Sequence, residues 1–142
     1  MATVTKIIDE TVHLGSDIES LIARLDKILV DRGLVLNEFL SWLTPAQFTT
    51  NQNNFDIKDA GAIRVSSDAS RNMTGIARVK AGRRLLIINI GSNNIVLTNP
   101  DSASTAAYRV ITGTGSSLTL AGDDTALLWY DDETSRWRVV AQ

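Results

Sequence analysis

The sequence predicts a mainly β protein with an N-terminal α part. A helical, coiled-coil-like oligomerisation segment would be followed by an antiparallel β-sandwich or jelly roll. Three observations carry this. Between Ser16 and Asp31, apolar residues recur in steps of three and four, at Ile18, Leu21, Leu25 and Ile28. That is the period of one helix face. From Phe55 onward the apolar period falls to two, as in a strand. Turn residues then punctuate the chain at near-even spacing, with no helical stretch between them.

Residues 1–15 stay open. Val4, Ile7, Thr11 and Leu14 extend the helical register backwards. The runs TVTKII and TVHL are also β-branched and suit an extended arm. Gly15 and Ser16 start a new element. Ser16 and Glu19 have capping-box spacing, in which each side chain satisfies a free N–H at a helix start. Gly33 is placed to terminate the helix in a left-handed conformation. Ile22 and Leu29 widen the stripe beyond a narrow coiled-coil seam, so the helix would need more than one neighbour. Burying each Leu or Ile is worth about 1.5–3 kcal/mol. The predicted oligomer interface is therefore Leu14, Ile18, Leu21, Ile22, Leu25, Ile28 and Leu29.

A second short helix is expected from about Leu36 to Leu43. Pro45 ends it, because the residue before proline is pushed from helical angles. The polar run TTNQNN reads as a linker. The predicted division is thus 1–45 (arm and helical segment), 46–54 (linker) and 55–142 (head domain). Within the head, short apolar alternations occur at 55–58, 62–66, 74–79, 83–90, 94–98, 107–111, 117–121, 125–130 and 136–140. RRLLIINI is the most hydrophobic and is expected to be central. In the last hairpin, Trp137 and Val139 share one face and Arg136 and Arg138 the other, around the polar turn DDETS. No sequence repeat is strong enough to argue for a solenoid.

Composition narrows the function. Of 142 residues, 44% are hydrophobic and 21% charged, as in an ordinary folded protein. The net charge of −2 supplies no field for nucleic acid. No apolar run is long enough to cross a bilayer, so no membrane partner is expected. The absence of cysteine removes disulfides and thiolate metal sites. MATVTKIIDETVHLG lacks the layout of a secretion signal, which predicts synthesis in a cytoplasm. Residues 1–45 hold four basic residues against seven acidic ones, and the remainder ten against nine.

Two stretches are more specific: GRRLLIINIGSNNIVLTNPDSASTAAYRVITGTG and LTLAGDDTALLWYDDETSRWRVV. With them, residues 74–140 resemble the terminal β-domains of small tail-fibre, head-fibre and capsid-decoration proteins of tailed bacteriophages. The resemblance implies a non-enzymatic virion protein, made in the host bacterial cytoplasm and located in the virion. It implies a homotrimer attached to other capsid or tail proteins and displaying a β-domain. It carries over no catalytic, cofactor or metal residue. The alternative is a β-sandwich module that recognises host-surface glycan, with the Asn99–Ala107 loop as its host. A third reading folds residues 17–43 back on the head in a monomer.

No residue pattern in the chain favours catalysis over a structural role. His13 is the only histidine, and it lies far from any nucleophile motif. A single-chain histidine zinc site lacks ligands. Asp123-Asp124 and Asp131-Asp132-Glu133 fall in turns, where Asp bonds its own backbone, and lack calcium-loop spacing. Arg78, Lys80, Arg83 and Arg84 form one basic concentration, read as a solvated rim with no aromatic residue nearby in sequence. Trp42, Trp129 and Trp137 read as core or subunit interface rather than sugar platforms.

Overall fold

In the computed structural model the described residues are Ser20, Leu21, Ala23, Arg24, Lys27 and 41–142 except Arg78. The chain divides into two compact units, Met1–Leu36 and Asn37–Gln142. Among its described residues the second holds nine strands: β1 (Trp42–Leu43), β2 (Ala62–Val65), β3 (Arg71–Met73), β4 (Arg84–Asn89), β5 (Ile95–Leu97), β6 (Val110–Ile111), β7 (Leu118–Leu120), β8 (Thr125–Asp131) and β9 (Arg136–Ala141). A 3-10 turn at Ala106–Tyr108 precedes β6.

The expected class is corrected in both its halves. No α-helical element is among those described. Of residues 16–31, only the five named above are described. They are helical in backbone and exposed, but they make up no helical segment. Amphipathic spacing shows only where a helix would bury its face; most helical stability comes from the packing itself. The sheets, moreover, are mixed rather than antiparallel. One has six strands in the order β1-β2-β4-β8-β9-β6, the other three in the order β3-β5-β7. The pairs β1–β2, β2–β4, β3–β5 and β6–β9 are parallel. Only β4–β8, β5–β7 and β8–β9 are antiparallel.

The parallel pairs arise because the chain winds. A parallel pair needs a crossover connection. Here the crossover of one sheet supplies a strand of the other: from β2 to β8 successive strands alternate between the six-stranded and three-stranded sheets. Ala62 pairs with Leu86 in one sheet and Arg71 with Ile95 in the other, the same shift of 24 residues. An earlier turn lies alongside, with Trp42 on Ala62, Phe48 on Ser67, Gln52 on Met73 and Phe55 on Ile76. Residues 42–97 therefore form stacked coils, and β8 and β9 then extend the six-stranded sheet.

This corrects several boundaries. Trp42 and Leu43 are strand, not the end of a second helix. The expected linker 46–54 is part of the first coil. Phe48 is 5% exposed and packs edge-to-face on Phe55, with ring centroids 5.2 Å apart. Its aromatic ring supplies apolar area that a solvated linker would not bury. The solenoid-like winding also stands against the absence of a legible repeat. Residues 55–58 and 74–79 contribute bridges rather than strands, and Arg71–Met73 is a strand that alternation did not mark.

Between the sheets lies the core. Ile63, Val65, Leu85, Ile87, Ala126 and Leu128 come from the six-stranded sheet, and Met73, Ile95, Leu97 and Leu120 from the other. Trp137 is fully buried. It stacks edge-to-face on Tyr130 at 5.4 Å, and its indole Nε1 donates to the Ile76 carbonyl at 2.9 Å. A buried indole needs such an acceptor. RRLLIINI is central as expected, since β4 lies between β2 and β8.

Candidate functional site

Residues opposite one another on neighbouring strands share a face. One register line through the six-stranded sheet runs Trp42, Ala62, Leu86, Leu127, Ala141. The line beside it on the same face runs Arg84, Trp129, Arg138. Another runs Arg64, Ile88, Thr125. This is the outer face, because the alternate positions Ile63, Ile87, Ala126 and Leu128 are buried. Its apolar residues are unusually open: Trp42 is 72% exposed, Val140 61% and Trp129 41%. A register shift between Leu127 and Leu128 leaves Val140 as an extra residue on β9. Such a bulge re-aims a side chain. Here Val140 joins Arg84, Leu127, Leu128 and Trp129 around a cleft of about 350 Å³.

Charge on this face is one-sided. Arg64 and Arg84 are exposed, and neither has an ion pair among the described residues. Arg138 is committed elsewhere: its Nε donates to Asp131 at 2.6 Å and its Nη2 to Thr134 Oγ1 at 3.1 Å. Asp131 also accepts from Thr134 Oγ1 at 2.7 Å. These bonds, from Thr134 first and then Arg138, hold the Asp131 carboxyl below the usual carboxylate range. The expected acidic cluster in this hairpin is thus a fastened turn, with its first carboxylate already spoken for.

The basic concentration separates into different jobs. Arg83 is 6% exposed and its Nη2 donates to the Lys58 and Ala60 carbonyls, both at 3.1 Å. It ties two successive turns of the coil together rather than lining a rim. Arg84 points the other way and lies across from Trp129. An aromatic residue therefore does stand beside this cluster, brought there by strand pairing across 45 residues of sequence. A side chain at Gly82 would approach the Trp129 indole Nε1 to 3.7 Å, so the turn before β4 lies against the same ring. Arg78 lies outside the described residues.

Leu14, Ile18, Ile22, Leu25, Ile28 and Leu29 lie outside the described residues, as does His13; Leu21 is 64% exposed. The tryptophans divide, with Trp137 in the core and Trp42 and Trp129 on the outer face. The Asn99–Ala107 loop is fastened rather than free. Ser104 is 2% exposed, and its hydroxyl lies 2.6 Å from Thr74 Oγ1 and accepts from the Asn54 amide at 3.0 Å. Asn54 Oδ1 in turn accepts from the Thr105 amide at 2.8 Å, and Asn99 Oδ1 from Thr112 at 2.9 Å. Asp124 Oδ2 accepts from the Ala121 amide at 2.9 Å, and Asp123 sits at a φ of 68°, so this pair serves its turn.

Among the described residues, no group of three His, Cys, Asp or Glu side chains could hold a metal ion. No described helix is long and apolar enough to cross a membrane. No protein family, no curated protein and no solved structure matches the chain. The site that geometry offers is an interaction surface: an apolar strip with tryptophan at two places and unpaired arginine at its margins. Interfaces are enriched in Trp and Arg and carry an apolar centre with a polar rim.

Proposed function

We propose that the chain is a non-enzymatic structural protein that assembles with copies of itself, as a fibre or capsid-decoration subunit of a tailed-bacteriophage virion. In this reading it attaches to other capsid or tail proteins and displays its β unit, with three copies per assembly as the sequence resemblance implies. One observation carries the assembly half: Trp42, Trp129 and Val140 stand open on one sheet face. A monomer gains nothing from leaving this much apolar area in water, at about 25 cal/mol per Å². The fastened loops favour a rigid scaffold over a moving active site. Sedimentation velocity at micromolar concentration tests the reading, together with rebinding of the purified chain to particles stripped of it. A monomer that fails to rebind would remove it.

The cleft beside Trp129 favours a second reading, a glycan-binding module. An aromatic ring beside an unpaired guanidinium can stack a sugar and hold its carboxylate. Titration with a panel of acidic oligosaccharides, read by tryptophan fluorescence in the parent and in Trp129→Phe, would support it if only the parent responds. No response across the panel would end it.

A further inference from the structure

We propose that the outer face of the six-stranded sheet is the docking surface for the amino-terminal residues 1–40 of a second copy of this chain. The inference deepens the self-assembly reading and rests on it.

The face has an apolar centre, Leu86 and Leu127, and open apolar residues at Trp42, Trp129 and Val140. Its strands carry four arginines, Arg64, Arg84, Arg136 and Arg138, against one aspartate, Asp131, which already holds Arg138. Two such faces cannot pack on each other without setting guanidinium against guanidinium, and like charges across an interface are costly. The face therefore calls for an occupant that is apolar and acidic. Residues 1–40 have that chemistry. They hold four basic residues against seven acidic ones, while the rest of the chain holds ten against nine. Their acids are interleaved with apolar residues, as in Asp17-Ile18-Glu19 and Leu25-Asp26. Leu21 is 64% exposed, and Trp42, Trp129 and Val140 are exposed on the sheet face. Donor and acceptor are different patches, so the contact is heterologous. It closes into a ring when the rotation permits, which fits a small cyclic oligomer.

The test is charge reversal on the full chain, read as the self-association constant by sedimentation velocity. Arg64→Glu with Arg84→Glu reverses the face. Asp17→Lys with Asp26→Lys reverses the segment. Each pair should weaken association at least tenfold, and the face pair should leave unfolding of the dilute, dissociated chain unchanged, since both arginines are exposed. An equimolar mixture of the two double variants should associate more strongly than either variant alone, because the reversed face of one then meets the reversed segment of the other. Association of the face variant at parental strength would overturn the docking surface and leave self-assembly standing. A parental chain that sediments as a monomer would overturn both. If the quadruple variant recovers but the mixture gains nothing over either variant alone, the segment belongs to its own copy and the second-copy assignment falls.

Discussion

Strand β4 presents two different proteins to its two sides. Inward it places Leu85, Ile87 and Asn89, all fully buried. Outward it places Arg84, Leu86 and Ile88, of which Arg84 is exposed and the others half-buried. The paired strand β8 repeats the division, with Ala126, Leu128 and Tyr130 inside and Thr125, Leu127 and Trp129 outside. Both faces are apolar enough that hydropathy alone does not say which is the core. What separates them is satisfaction. On the inner side the Trp137 indole donates to Ile76, and Arg83 Nη2 to two carbonyls. Asn89 Nδ2 donates to Asn93, Leu120 and Ala121. On the outer side Trp129 is 41% exposed and Arg84 has no ion pair among the described residues. The inner face is covered within the β unit, and the outer face leaves Trp129 and Arg84 open.

The sharpest break of this contrast is Trp137→Ala. It empties the largest buried side chain, strands the Ile76 carbonyl and removes the edge contact to Tyr130. The expected loss is about 3–5 kcal/mol by urea unfolding. Asn89→Ala should follow. It strands carbonyls at a corner where a side chain at Gly122 would lie 2.7 Å from the Gly91 carbonyl, so the turns have no room to rearrange. The expected cost is about 1–3 kcal/mol. By contrast, Trp129→Ala should leave unfolding of the single copy within about 0.5 kcal/mol of the parent, as for an exposed position. If it cost as much as Trp137→Ala, the two faces would not differ in kind.

The smallest effect concerns acid. Asp131 has a folded-state pKa below its unfolded value, held there by Thr134 and Arg138. The unfolded chain therefore binds the proton more readily. The stabilisation is present in full above about pH 4 and is lost as pH falls through the lowered folded value. Asp68, lowered by its bond to Arg71, follows the same sign. Urea midpoints of the parent and Asp131→Asn should thus differ at neutral pH and converge as the solution becomes more acid. A gap that stays constant down the acid limb would place the contribution elsewhere.

Much of the strand content was legible. The alternations at 83–90, 125–130 and 136–140 became β4, β8 and β9 because half-buried strands write a period of two. The turns at Gly113, Gly115 and Asp123 were legible because positive φ selects Gly and Asp. The helical period at residues 16–31 and the winding of the sheets are where local pattern and structure part. Parallel winding leaves little mark when each coil is short and its corners differ. Only Lys58-Asp59-Ala60-Gly61 before β2 and Lys80-Ala81-Gly82 before β4 hint at it, with Lys58 and Gly82 both at positive φ. The polar neighbours of Phe48 mark a linker, but its burial depends on Phe55, which only the coil brings beside it. The pairing of Arg84 with Trp129 was likewise invisible, since no local rule joins residues on β4 and β8.

By itself, then, the sequence determined local matters: where strands run, where the chain reverses, and that no cysteine staples it. Those follow from backbone preference and nearest-neighbour spacing, which each short stretch carries alone. Only the tertiary structure decided which apolar residues are core and which are surface, that the sheets are mixed, and that tryptophan and arginine meet on one open face. Those depend on contacts between distant segments, whose register is set by packing across the whole β unit.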